Sequence, residues 1–147
     1  MADIVYKEGV LTQEVFSALS ASVGWPTTEP ETAARAVCGT RYAVCAFDGE
    51  NAVGMARMVG DGTWSWYIEH VVVLPEYQGR GIGTRLMEHV VAALNRSIPK
   101  GQGLSAALTS APGKEGFYTK FGFSPIPSDH GTAMGVVLED KENRRRE

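Results

Sequence analysis

The residues with the clearest chemical pattern are Gln78-Gly79-Arg80-Gly81-Ile82-Gly83, a glycine-rich turn that follows the apolar run Val71-Val72-Val73-Leu74. The segment after it, Gly83 to Leu94, has the spacing of an amphipathic helix. A strand, a glycine turn and a helix in that order bring unpaired backbone N–H groups and the positive end of a helix dipole to one spot, a cradle for a pyrophosphate. Glycines let phosphate oxygens approach the backbone where a Cβ would block them. The turn lacks the Gly-Lys-Ser/Thr ending of an NTP-binding loop, and position 86 is Leu86, not the third glycine of a dinucleotide-binding turn. Two acid–base candidates, Glu69 and His70, stand just upstream. As neighbours on one strand they are expected on opposite faces, so that at most one projects straight into a cleft, with Glu69 on the face of Val71 and Val73.

The elements that must position these groups are read from periodicity. Ile4-Val5-Tyr6 is a short first strand. Thr12 is an N-cap for a helix over 13–23, carried by Val15, Phe16, Leu19 and Val23, and Gly24-Trp25-Pro26 ends it. Trp25 is read as closing the core at that helix end; lining an acceptor pocket is its alternative. Pro30 opens a second helix through Val37, stopped near Gly39. Strands over 41–47, 52–59 and 63–74 are separated by Asp48-Gly49-Glu50-Asn51 and Gly60-Asp61-Gly62, the turn chemistry of an antiparallel meander. After the cradle, Ile82, Leu86, Val90 and Leu94 recur at helical spacing, widened by Met87 and Val91, and His89 falls on the solvated side. Leu104–Leu108 is a fifth strand, Lys114–Phe121 a short helix ended by Gly122, Phe123 the start of a sixth strand and Met134–Leu138 a last one. The order describes an α+β sheet with helices on both faces.

The stretch Val71–Met87, VVVLPEYQGRGIGTRLM, resembles the CoA-pyrophosphate motif of the GNAT superfamily of acyl-CoA N-acyltransferases. Downstream, Phe117-Tyr118-Thr119-Lys120-Phe121-Gly122-Phe123 is similar to that superfamily's F-Y-x-x-x-G-F signature. The resemblance runs motif by motif from about Trp64 to Phe123. It implies a mixed, mostly antiparallel central sheet splayed between strands four and five, with the pantetheine arm of acetyl-CoA in the gap. It implies transfer of the acetyl group to a primary amine by direct attack on the thioester.

That chemistry requires an anchored cofactor, a polarised carbonyl, a deprotonated amine and a protonated leaving thiolate. Backbone N–H groups of Gly79, Gly81, Gly83 and Thr84 are expected at the pyrophosphate, with Arg80 adding a charge-assisted contact. Gln78 either touches cofactor or caps the turn. By resemblance, main-chain groups of Val71 and Val73 pair with the pantetheine amides, and one such amide polarises the thioester. By the same resemblance Tyr118 lies near the CoA sulfur, where a phenol is a proton donor at neutral pH. The base is Glu69, His70 or a chain of water; Glu69 matches a glutamate of polyamine-acetylating members, whereas His70 departs from their aspartate. Tyr67, on the Glu69 face, is a candidate for the acceptor site. No asparagine precedes the tyrosine helix, where Thr109-Ser110-Ala111 stands instead.

Composition narrows the rest. The chain has 147 residues, 44% of them hydrophobic and 21% charged, and a formal charge of −3. That suits one soluble domain, expected over 1–139 with a charged tail over 140–147, and offers no electrostatic case for nucleic acid or an anionic membrane. A solvated tail accounts for Arg144-Arg145-Arg146. Cys38 and Cys45 have no metal-ligand or disulfide-framework spacing and read as small hydrophobes of a reducing compartment; no metal is expected. No apolar run suits a bilayer span and no signal peptide is apparent, so a cytoplasmic protein is expected. The expected partner is a small-molecule amine, with a protein lysine or N-terminus, or a non-catalytic acyl-CoA sensor, as alternatives. A homodimer is carried only as a habit of GNAT-like domains.

Overall fold

A computed structural model describes residues 3–26 and 29–126. Its elements are β1 (Ile4–Glu8), α1 (Gln13–Ser22), α2 (Pro30–Cys38), β2 (Tyr42–Asp48), β3 (Asn51–Gly60), β4 (Ser65–Val73), a 3₁₀ turn (Pro75–Tyr77), α3 (Ile82–Ser97), β5 (Ser105–Leu108) and α4 (Glu115–Thr119). The sheet runs β1-β2-β3-β4-β5; the first three pairings are antiparallel and β4–β5 is parallel. The parallel pairing covers only Ser65–Ile68 against Ser105–Leu108, so the upper half of β4 leaves β5 behind. That is the splay expected from the resemblance.

Helices cover both faces. On one face α3 seats Ile82, Leu86, Met87, Val90, Ala93 and Leu94 against Val44, Ala46, Val53, Ala56, Met58, Trp66 and Ile68. Its apolar stripe is the expected one except that Ala93 takes the buried place expected of Val91, because side chains at those spacings share one side of the helix. Gly54 allows the close approach: a Cβ there would stand 3.2 Å from a Leu86 methyl and 3.1 Å from the Val72 carbonyl oxygen. On the other face α1 and α2 bury Phe16, Leu19 and Ala33 against Cys45, Met55 and Val72. Thr12 caps α1 as expected, accepting from the Val15 N–H at 3.3 Å.

Several expectations change. Cys45 is buried, which pushes its thiol up to about 11, but Cys38 is exposed and fills no core. His89 is half-buried, its ring 5.5 Å from that of Tyr6 and its Nδ1 3.5 Å from a Glu8 carboxylate oxygen. The short helix is Glu115–Thr119, and the chain then tightens into i→i−3 bonds, Phe121 N–H to the Tyr118 carbonyl and Gly122 N–H to that of Thr119. Gly122 turns with φ 90°, and residues 123–126 form no strand, because the Phe123 N–H folds back on the Tyr118 carbonyl. The expected continuation of a sixth strand, the expected last strand and the expected charged tail fall on residues outside those described.

Candidate functional site

A cleft of about 740 Å³ opens where β4 and β5 part. It collects in one place nearly all the residues that the sequence singles out.

Its α3 end is backbone. Gly79 and Gly81 turn with φ 78° and 82°, the left-handed region that side chains other than glycine rarely adopt. A Cβ on either would meet nothing within 4 Å, so in the free protein these glycines are required by conformation, not by crowding. Gly81 is the N-cap of α3, with no side-chain cap. The N–H groups of Ile82, Gly83 and Thr84 therefore have no intrahelical acceptor, and all three residues line the cleft. The Gln78 amide donates to the Val73 carbonyl at 3.0 Å and ties the turn to the strand end, which is its capping alternative. Arg80 is not among the cleft-lining residues; its guanidinium lies 4.9 Å over the Tyr77 ring, and the Tyr77 hydroxyl donates to Asp48 at 2.6 Å.

The middle of the cleft is the free edge of β4. The Leu74 N–H donates to the Val53 carbonyl at 2.9 Å, so the alternation of an antiparallel ladder turns the Val73 main-chain groups toward the opposite edge. Beyond Ile68 that edge has no strand partner among the described residues. Val71 and Val73 pack their side chains toward α3, as does Phe117 of α4. Tyr118 also lines the cleft, and burial raises its phenol above the ordinary range, which keeps it a donor at neutral pH.

The Trp25 end departs from the simple strand rule. The pairing of β3 with β4 slips between Met55 and Arg57: Met55 faces Val72, Arg57 faces Glu69, and His70 and Val71 share the place opposite Ala56. This is a β-bulge, and His70 sits in it with φ 54°, the only positive value among the described non-glycine residues. The extra residue resets the alternation. Glu69 and His70 both turn to the α1 side, while Val71 and Val73 turn to the α3 side. The expected opposite faces for Glu69 and His70, and the shared face of Glu69 with Val71 and Val73, are thus corrected, because period-2 alternation holds only where no residue is inserted.

Glu69 and His70 converge on Arg57, a residue that the sequence reading passed over. Its Nη1 lies 3.2 Å from Glu69 Oε2 and 3.1 Å from His70 Nδ1. Its Nε donates to Thr40 Oγ1 at 2.9 Å and its Nη2 to the Ala36 carbonyl at 3.1 Å. The residue is 4% exposed, and burial lowers its pKa against the opposing pull of Glu69. The available signal was a lone charge inside Ala52–Val59, an otherwise uncharged strand. Burial, then the Arg57 charge, lowers the His70 pKa, and Glu69 opposes them, so the imidazole is neutral at pH 7. The ring rests 4.7 Å from Phe16 and 5.2 Å from Trp25. Trp25 is 40% exposed and lines the cleft with Tyr67, so it does not close the core. The Tyr67 hydroxyl hydrogen-bonds Thr109 Oγ1, across the β4–β5 gap. Lys114, beside Tyr118 at the cleft wall, was also missed, since nothing in its spacing marks it.

Residues 39–125 match the Acetyltransferase (GNAT) domain family. The chain belongs to the GNAT acetyltransferase family. A serotonin N-acetyltransferase 2, chloroplastic, of Oryza sativa subsp. japonica is 34% identical over 112 residues, 73% of this chain and 54% of that protein. The chain thus spans about half the length of that relative. Among solved structures, a probable acetyltransferase of unknown function from Staphylococcus aureus superposes with TM-score 0.81 at 25% identity, over 94% of this chain and 100% of its own. A GNAT-family acetyltransferase from Streptococcus pneumoniae gives 0.75 at 27% identity, over 95% and 99%. The GNAT assignment and the α+β fold expected from the sequence both hold. Among the described residues no helix is long and apolar enough to cross a membrane, and no group of three or more His, Cys, Asp or Glu side chains could hold a metal ion.

Proposed function

We propose that this protein is an acetyl-CoA-dependent N-acetyltransferase acting on a small primary amine. One observation carries the reading: a helix N-terminus free to bind phosphate, a free strand edge, a protonated phenol and a carboxylate all line a single cleft. The N–H groups of Gly81, Gly83 and Thr84, with Gly79 shaping the turn, hold the pyrophosphate at α3. Val71 and Val73 offer main-chain groups to the pantetheine amides, and Gln78 keeps the turn in place. Because Gln78 already occupies the Val73 carbonyl, the Val73 N–H is the group left for ligand. Arg80 contributes charge near the phosphates without lining the cleft.

Acetyl-CoA supplies the activated thioester. Glu69 takes the proton of the amine, directly or through water, by the carboxylate oxygen that Arg57 does not hold. The amine nitrogen attacks the thioester carbonyl, the C–S bond breaks, and Tyr118 gives its phenolic proton to the departing thiolate. The acceptor lies against Trp25, Tyr67 and His70, which suits an amine on a flat apolar or aromatic body with its nitrogen toward Glu69. The rice relative's name, a serotonin N-acetyltransferase, supports that class.

The test is release of CoA thiol from acetyl-CoA over a panel of arylalkylamines, polyamines, aminoglycosides, amino acids and a lysine peptide, with Tyr118→Phe alongside. Turnover on arylalkylamines, lost in the variant, is expected. Turnover on the lysine peptide alone would overturn the small-amine reading. Acetyl-CoA binding without turnover on any acceptor would favour a sensor.

A further inference from the structure

Arg57 meets His70 in a way that fixes the chemistry of the imidazole. A guanidinium only donates hydrogen bonds; it has no lone pair to offer. With Arg57 Nη1 at 3.1 Å from His70 Nδ1, the lone pair of that contact belongs to Nδ1. In a neutral imidazole the proton then resides on Nε2. The neighbouring contacts agree. The two hydrogens of Nη1 have two acceptors, Glu69 Oε2 and His70 Nδ1, while Nε and Nη2 are anchored on Thr40 and Ala36. Glu69 Oε2 stands 3.7 Å from His70 Nδ1, beyond hydrogen-bond distance, so it does not claim a proton there. The remaining packing on the ring, Phe16 from α1 and Trp25 after it, carries no titrating group. Protonating Nδ1 would set N–H against N–H beside a buried cation.

We propose that Arg57 is a positioning residue of the acceptor site: it occupies the Nδ1 lone pair of His70 and so makes His70 a hydrogen-bond donor through Nε2 instead of a general base. The functional consequence rests on the acetyl-transfer reading above; the tautomer does not. It leaves Glu69 and water as the proton acceptors at this end of the cleft, and gives His70 the task of orienting a lone-pair atom of the acceptor. It also explains the bulge. Left-handed backbone at a residue other than glycine is strained and persists where its surroundings hold it. Here the positive φ of His70 brings its ring to the side where Arg57 can reach it.

The experiment is long-range ¹H–¹⁵N correlation of histidine side chains in the free, ¹⁵N-labelled protein at pH 7.5, with His70→Gln used to assign the His70 signals. The expected result is a lone-pair-type Nδ1 and a protonated-type Nε2, together with a ¹⁵N–¹⁵N coupling across the Arg57–His70 hydrogen bond. In Arg57→Met, where an apolar chain of similar reach fills the buried place, the two His70 nitrogens should move toward averaged shifts. A protonated Nδ1 or averaged nitrogens in the wild type overturns the proposal. So do His70 signals that stay unchanged in Arg57→Met. Should Arg57→Met fail to fold, the wild-type coupling decides: present, it ties the tautomer to Arg57; absent, it removes Arg57 from the account. None of these readouts needs turnover. An inactive protein with the Nε2–H tautomer would defeat the function and leave the tautomer assignment to Arg57 standing.

Discussion

At the α3 end of the cleft the groups free to bind are backbone N–H groups, held by glycine conformations and a helix start. At the Trp25 end they are side chains, held by a buried arginine that is not itself among the cleft-lining residues. Backbone recognition depends on local chain geometry, and the residues that create it lie side by side in sequence. Side-chain recognition here depends on Arg57 from β3, Glu69 and His70 from β4, Phe16 from α1 and Thr40 after α2, which meet only in the folded chain. A substitution at the first end should therefore act on cofactor affinity, and one at the second on acceptor use.

The largest expected effect breaks the backbone end. Gly81→Glu puts a side chain at φ 82° and a carboxylate at the cradle. If two charge-assisted hydrogen bonds are lost, at roughly 1.5–3 kcal/mol each, acetyl-CoA affinity should fall by about a thousandfold. Isothermal calorimetry reads this, with circular dichroism confirming the fold; unchanged affinity would remove the cradle. Next comes Tyr118→Phe, expected to lower kcat by about a hundred- to a thousandfold, within the span of a lost general acid, while leaving acetyl-CoA affinity intact. Steady-state kinetics beside calorimetry separates the two, and a fully active variant would mean that the thiolate leaves without Tyr118.

The same contrast explains what could be read in advance. The cradle, the α3 stripe and the Tyr118 motif were legible because each is a local pattern: glycine spacing, helical period, a contiguous signature. The β4 bulge was not, since nothing in Tyr67–Val73 announces an inserted residue; the insertion is a property of pairing with β3. Reading strict alternation through it put Glu69 and His70 on opposite faces. Trp25 was misjudged for a related reason. A tryptophan at a helix end suits a core equally well until the positions of Phe16 and His70 are known.

A smaller effect sharpens the side-chain end. Glu69→Gln keeps an acceptor for Arg57 but removes the proposed base. We expect kcat/KM for the amine to fall by about a hundredfold, the lower end for a lost base, with acetyl-CoA affinity unchanged. Glu69 is 43% exposed at its side chain but Arg57 is buried, so removing the carboxylate charge leaves the guanidinium less compensated and should also lower Tm. Equal activity at all pH values would pass the proton to water alone.

The smallest effect is a dependence of stability on pH. Burial, then Arg57, lowers the pKa of His70 in the folded protein, whereas the unfolded chain keeps the ordinary value of about 6.5. Between the folded and unfolded values the unfolded state binds more protons, so stability rises with pH across that window. Seen from above, stability is full at pH 7.5 and is lost as pH falls below about 6.5, until His70 itself protonates in the folded state. Glu8, whose pKa is lowered by its hydrogen bond from Tyr42, acts only at lower pH, below the ordinary glutamate range. Thermal melts from pH 7.5 to 5.5 should therefore show a falling Tm in the wild type and a flatter profile in His70→Gln. Identical profiles would mean that the imidazole is solvated enough to titrate normally. The Trp25 end of the cleft would then be less enclosed than Arg57, Phe16 and Trp25 make it.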